Sequence, residues 1–338
     1  MNVQAASPNQ GRFRLSGLVQ SQEAVVFALA AAMFIVMAIG LPRFLTAGNI
    51  SALLFNMSII GVLGCGMAMV VIGQGIDLSM VAILAVTSAL LVQLLIGGMP
   101  LWQALLVTGC LAAALGALNG LLVAYLEIPA LFATLASGLL FFGGSRVLIL
   151  DTAVYYVPST QEGLLAVAKA SFLGLPVPVI IFAGIAICLH FVLRATTFGR
   201  YVYARGDNVL AARTSGVAVR PIVVVQYVIA GLCALLGGVI FTSASAAIDM
   251  QVFRSTLIFD VVLVVILGGV SLAGGRGSML SVVAGTLLIG VLLNGMVILN
   301  INSSVQSIIK GIVLILAILL DRFLHPVDEE TARQADTL

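Results

Sequence analysis

The chain carries very few side chains able to do chemistry, and most of them sit inside long apolar runs. Asp260, Lys310, His190 and Arg146 are the ionisable groups placed in this way, and Asn56, Asn119, Asn294, Gln93 and Gln226 are the amides. In a hydrocarbon environment an ionisable group is costly, so it faces a bundle interior, a water-filled cavity or a countercharge. An ion-coupled carrier would need carboxylates near the bilayer midplane or a cation site in a broken helix. Asp260 is the lone candidate, and it reads first as a helix-terminal residue or a salt-bridge partner. Lys310 would snorkel or pair. Each amide must find a neighbouring helix or a hydrated path. A path lined by amides suits a neutral polyhydroxyl solute, because amides donate and accept without demanding charge. Asn56, Asn119 and Asn294 are the expected path residues, with glue between helices as the plainer reading.

Other chemistries are excluded by what is missing. Lys169 and Lys310 are followed by Ala and Gly, so neither belongs to a phosphate-binding GxxxxGK[ST] loop. HExxH, serine–histidine pairs and clustered Asp and His are absent, and the histidines are His190 and His325. Cys65, Cys110, Cys188 and Cys233 lie in apolar runs without a CxxC pair, which suits small packing residues better than a metal site. No catalytic residue, cofactor or metal is expected, and ATP would have to be hydrolysed on another chain.

Of the 338 residues, 62% are hydrophobic and 8% are charged. Soluble domains carry about 25% charged residues, which they need to stay wet. About 210 apolar residues leave room for about ten membrane-spanning helices of roughly 20 residues each. A soluble enzyme, a nucleic-acid binder and a disordered chain are thereby excluded. Breaks at Gly, Pro and charge divide the chain into apolar runs near 24–41, 52–73, 79–97, 101–124, 130–150, 177–194, 222–242, 256–272, 279–298 and 304–321. The first run follows Arg12 and Arg14, and Ala28-Leu29-Ala30 lies inside it, which favours an uncleaved helix over a secretory signal. The expected organisation is a tail over 1–23, one membrane domain over 24–322 and a second tail over 323–338.

Basic residues set the orientation, since cytoplasmic segments hold excess Lys and Arg near span ends. With both termini inside, the cytoplasmic set is Arg12, Arg14, Arg194, Arg200, Arg205, Arg213, Arg220, Arg276, Arg322 and Arg333, against Arg43, Lys169 and Arg254 outside. Leu118-Asn119-Gly120 recurs as Leu293-Asn294-Gly295 five helices later, the pattern of an inverted repeat. Gly61, Gly64, Gly66, Gly116, Gly120, Gly285 and Gly290 read as close helix packing. Asp77 or Ser79 is placed to cap the third run. The loop 195–221 and its edge hold five arginines and one short helix. Asp207 or Asn208 would cap it, Val209-Leu210-Ala211-Ala212-Arg213 would form it, and Gly216 would end it. A capped helix with an apolar face and no span to pack on suggests a docking surface for a cytoplasmic partner.

At these motifs the chain resembles the permease subunit of bacterial ABC sugar importers, the family of ribose, arabinose, xylose and galactose permeases. The resemblance runs from about Asn49 to Arg322. It rests on Gly75-Ile76-Asp77-Leu78-Ser79, similar to GGIDLS; on Leu118-Asn119-Gly120 to Ile128-Pro129 with Thr134-Leu135; and on Gly268-Gly269, Gly274-Gly275-Arg276-Gly277 and Lys310-Gly311. Most specific is Phe198-Gly199-Arg200 through Ala204, Asn208, Ala211-Ala212 and Ser215-Gly216, which resembles the family's cytoplasmic loop. The resemblance implies an all-α fold of the vitamin B12-permease type (type II importer) with ten helices, in the bacterial inner membrane. It implies a second permease subunit, identical or related, a pair of ATPase subunits beneath and a periplasmic sugar-binding protein above, with Asn208 to Gly216 as the coupling helix. Gln74, Met80-Val81, Phe142-Gly143 and Val261-Val262-Leu263 depart from the family's Gly, Val-Gly, Arg-Gly and Ile-Ala-Ala. The departures cluster near the expected pathway and leave open a nucleoside, an autoinducer sugar or a branched-chain amino acid as solute. A stand-alone secondary carrier is the rival from another class.

Overall fold

The computed structural model describes the backbone of residues 22–324 and side chains from 23 to 319. Most of the two expected tails, with Arg12, Arg14, His325 and Arg333, lies outside the described residues. Along the chain the helices are α1 (Gln22–Gly40), α2 (Ala47–Ile72), α3 (Met80–Ile96), α4 (Leu101–Ala124), α5 (Ala130–Leu148), α6 (Glu162–Lys169) and α7 (Val177–Ala195). They continue as α8 (Thr197–Asp207), α9 (Val209–Thr214), α10 (Val219–Ser245), α11 (Leu257–Gly268), α12 (Met279–Ile298) and α13 (Ser303–Leu324). Each of the ten apolar runs holds one helix. Seven of these, α1, α2, α4, α5, α7, α10 and α12, are long and apolar enough to cross a membrane. The helices α3 and α11 and the stretch of α13 up to Leu319 are shorter apolar helices. The chain is a mostly helical, multi-pass membrane protein.

A helix that is apolar on every side belongs in the middle of a bundle. Helix α2 is that helix, since every residue from Met57 to Ile72 is buried. Around it pack α7, α10, α11 and α12, with α4 behind α10, α1 against α12 and α13 against α11. Lipid offers no hydrophobic drive for one helix to join another, so close backbone contact must supply the attraction. The contact of α4 with α10 shows how: a Cβ on Gly120 would fall 2.5 Å from Val224 Cα, and one on Gly231 would fall 2.5 Å from the Ala112 carbonyl oxygen. Gly116 likewise lies against the backbone of Tyr227.

The connection 151–176 has structure of its own. Strand β1 (Val154–Tyr156) pairs antiparallel with a later strand, Ala247–Asp249, with Tyr155 opposite Ile248. Two further two-residue strands, β2 (Ser171–Phe172) and β3 (Leu175–Pro176), make a hairpin, so the partner of β1 is β4. Helix α6 is fastened to α10 by Ser243 Oγ, which donates to the Leu164 carbonyl (2.7 Å) and accepts from the Ala168 N–H (2.7 Å). This cap covers the end of the bundle at which α10 finishes. The loop 195–221 holds two helices, α8 and α9, where one was expected; the segment of α8, with Arg200, Arg205 and Asp207 among few apolar residues, has no apolar run to announce it.

The expected cap on α3 is corrected. Neither Asp77 nor Ser79 accepts from a first-turn N–H of that helix. Asp77 instead turns back on Ser79, taking its N–H at 3.0 Å and its hydroxyl at 2.6 Å.

Substituting Gly120→Ala should drive the α4 and α10 backbones apart, cost about 1–3 kcal/mol and lower the thermal midpoint of the protein in detergent. Gly143→Ala should not lower it, because nothing lies within 4 Å of a Cβ there.

Candidate functional site

Helix α2 has a working feature at each end. The end at Ile72 meets α8 and the glycine loop after α11: the Gly275 N–H donates to the Ile72 carbonyl at 2.8 Å. Asn49 is 23 residues away, about 35 Å along the helix.

At the Asn49 end a cavity of about 260 Å³ opens between α2, α10, α11 and α12. Its polar lining is Asn49, Asn56, Asp260 and Asn294, set among Phe241, Leu293 and other apolar side chains. Asn49 and Asn294 exchange amide hydrogen bonds of 3.0 and 2.8 Å. Asn56 is exposed in the cavity and has no hydrogen-bond partner among the described residues. The carboxylate of Asp260 is held by Lys310 from α13, with Nζ 2.8 Å from Oδ1 and 2.9 Å from Oδ2. Nζ also donates to Thr256 Oγ1 at 3.2 Å. Both charges are therefore spent on each other, and the cavity offers amide groups with no free charge. That suits a solute made of hydroxyl groups.

Of the three amides expected on a path, the structure brings Asn56 and Asn294 together and sets Asn119 apart. Asn119 is fully buried near the opposite end, where its Nδ2 donates to Ser79 Oγ at 2.6 Å. It helps hold the irregular segment Gly73 to Ser79, whose backbone must be satisfied by protein if it lies at membrane depth. Thr134 Oγ1 accepts from the Leu78 N–H (3.1 Å), and the Tyr227 hydroxyl donates to the Ile76 carbonyl (3.0 Å). Gly75 belongs to this segment and packs against Val70 and the Tyr227 hydroxyl. Asn49 was missed because it precedes the apolar run; the amide just ahead of that run was the available signal.

At the Ile72 end, Asn208 Oδ1 accepts from the Ala211 N–H at 2.9 Å and so caps α9. Gly216 follows the helix at φ +82°, a left-handed position suited to glycine. On this short helix Leu210, Ala211, Ser215 and Gly216 are exposed, Val209 is half-buried, and Ala212 is buried against the bundle. Helix α8 leads into α9 and touches the core directly: a Cβ on Gly206 would run into the Ile72 carbonyl and the Gly275 N–H. The Tyr203 hydroxyl donates to the Gly277 carbonyl at 2.7 Å, and burial lifts its pKa above the ordinary phenol value, so it stays a donor. Burial likewise pulls Arg205 below the usual guanidinium value. Glu127, in the turn between α4 and α5, meets Arg213 (3.7 Å) and Arg220 (3.1 Å).

With this geometry in view, the family profile described as "Branched-chain amino acid transport system / permease component" matches residues 49–318. The chain belongs to that family of importer permeases. It is 35% identical over 322 residues to the ribose import permease protein of Bacillus subtilis (strain 168), covering 95% of this chain and 99% of that protein. It is 33% identical over 299 residues to the D-allose transport system permease protein of Escherichia coli (strain K12), covering 88% and 90%. To the L-arabinose transport system permease protein of the same strain it is 34% identical over 303 residues, covering 88% and 89%. No solved structure matches the chain.

Asp260→Asn should strand the buried Lys310 charge and cost about 3–5 kcal/mol, read as a lower thermal midpoint in detergent. Asp260→Asn combined with Lys310→Met should recover most of that loss.

Proposed function

We propose that this chain is the membrane subunit of an ATP-binding-cassette importer and passes a sugar, most simply a monosaccharide, through the bacterial inner membrane. A periplasmic binding protein delivers the sugar, a separate ATPase subunit supplies the energy, and a second permease, identical or related, completes the pore. In this reading all ten apolar helices cross the membrane, both termini are cytoplasmic, 24–322 is a single membrane domain, and the fold is of the vitamin B12-permease type. The ribose, allose and arabinose permeases among the relatives support the sugar.

One observation carries the mechanism. The exposed helix α9 is joined through α8 and backbone contacts to the end of α2, and the opposite end of α2 lines the amide cavity. A displacement of α9 by the ATPase would reach α2 through backbone rather than through flexible side chains. The residues Asn208, Val209, Leu210, Ala211, Ala212, Ser215 and Gly216 form the coupling segment, and Asn56 and Asn294 line the path. Asn119 acts at the same pathway only by bracing Gly75, Asp77 and Ser79. The neutral lining favours a sugar over a zwitterionic amino acid, since the Asp260–Lys310 pair is already closed on itself.

Leu210→Glu with Ala211→Glu changes only exposed positions of α9. The protein should keep its abundance and thermal midpoint, lose co-purification of the ATPase and lose sugar uptake by about tenfold or more. Uptake at the normal rate would overturn the coupling role. Ala212 is unsuitable for this test because it is buried.

Asn56→Ala should lower uptake with no change in thermal midpoint, since the amide braces nothing. Asn119→Ala should break the buried network at a cost of about 1–3 kcal/mol, read as a lower thermal midpoint.

A further inference from the structure

Three arginines from three elements converge beside α9: Arg205 in the last turn of α8, Arg213 in the last turn of α9 and Arg220 in the first turn of α10. They line a cavity of about 240 Å³ whose only carboxylate, among the described residues, is Glu127. That carboxylate meets Arg213 and Arg220. The Nε of Arg205 is buried and has no hydrogen-bond partner among the described residues. Arg213 and Arg220 are half exposed and share that one carboxylate, so the largely buried Arg205 is the guanidinium without an ion-pair partner among the described residues, and a buried cation without an anion is unfavourable.

The walls identify the missing anion. Val123 and Val223 line the cavity, and their near neighbours along the chain, Leu121, Tyr125, Leu126 and Val225, are large exposed hydrophobics. The Arg220 guanidinium lies 5.5 Å from the centre of the Tyr125 ring. The site thus joins a cationic recess to an apolar flank at the end of the membrane-crossing helices, where phospholipid headgroups lie. Guanidinium groups bind phosphate oxygens in a planar, often bidentate way, and basic pockets between membrane helices hold anionic headgroups.

We propose that this cavity binds the phosphate of an anionic phospholipid between Arg205 and Arg220, with the acyl chains on the exposed flank of α4 and α10. Glu127 is the internal rival that occupies Arg213 and Arg220 when the lipid is away. An acidic protein partner would need no apolar flank, which is why the lipid is the better match. The proposal requires only that the α9 end of the bundle lies at a membrane–water boundary, so it stands or falls separately from the coupling role.

The test is native mass spectrometry of the full-length protein in mild detergent, titrated with phosphatidylglycerol, with phosphatidylcholine and with inorganic phosphate. Phosphatidylglycerol should be retained in preference to phosphatidylcholine. Arg205→Gln and Arg220→Gln should each weaken its retention about fivefold. Glu127→Gln should strengthen it, because the competing carboxylate is gone. Arg200→Gln, an exposed α8 arginine outside the cavity, should leave it unchanged. Arg205 is partly structural, so the half-exposed Arg220 and Glu127 decide the matter. Equal retention of the two lipids, no loss in Arg220→Gln, or weaker retention in Glu127→Gln would overturn the proposal. Inorganic phosphate bound without any lipid preference would assign the site to a free anion instead. Release of the ATPase by Arg220→Gln with lipid retention unaltered would assign it to the protein partner.

Discussion

The hydrogen bond from the Gly275 N–H to the Ile72 carbonyl fixes how the rest of the molecule can work. The last carbonyls of any helix lack partners within that helix, and at the end of a fully buried helix water cannot serve them. Here a glycine with φ +70° turns its N–H toward the helix end. Gly206 lets α8 lie on the same spot, because no side chain keeps it away. Three segments far apart in sequence therefore meet through their backbones at the end of α2. A joint made of backbone transmits displacement with little loss, since no rotamer can absorb it.

The other end of α2 obeys the opposite requirement. A cavity that is to take a neutral polar molecule needs groups that make hydrogen bonds yet are not already held by protein. Asn56 meets that condition, being an amide without a hydrogen-bond partner among the described residues. The charges nearby are removed from play by pairing, with Lys310 bound to Asp260 and Thr256 together. A free carboxylate in the cavity would attract cations and protons. The closed pair leaves a site lined by neutral amides.

Most of the helices were legible because lipid forces each crossing to be one long apolar run, and the ten runs coincide with helices to within a few residues at most ends. The longest helices overran their runs: α2 begins at Ala47 rather than 52, and α10 spans Val219–Ser245 rather than 222–242. Among the excess residues are Asn49, Ser51, Arg220, Pro221, Ser243 and Ser245, which lower the local hydropathy and so fall outside an apolar run. Helix α8, with Tyr203 and Gly206 packed on the core, was invisible for the same reason. Pairings across long separations were also hidden. Nothing local links Asp260 to Lys310, or Asn49 to Asn294. The shared Leu-Asn-Gly motif suggested that Asn119 and Asn294 act together, whereas each braces the start of a different helix at opposite ends of the bundle. The capped helix α9 was legible down to its Asn208 cap, because capping is a local matter of residue type and spacing.

The departures from the family pattern sharpen this picture. Gln74 stands where the family carries glycine, and it adopts φ +61°, a left-handed conformation that costs a residue with a Cβ about 1–2 kcal/mol. It lies directly beside Gly274, with its Cβ close to the position a Cβ on that glycine would take. The strain is therefore located at the joint between α2, α8 and the glycine loop, and not in the amide cavity. Phe142, where the family carries arginine, stacks on Phe253 with ring centres 4.8 Å apart. One substitution places strain at the joint between α2, α8 and the glycine loop, and the other replaces a charge by an apolar contact. Neither adds a free charge to the amide cavity, whose one carboxylate stays closed on Lys310.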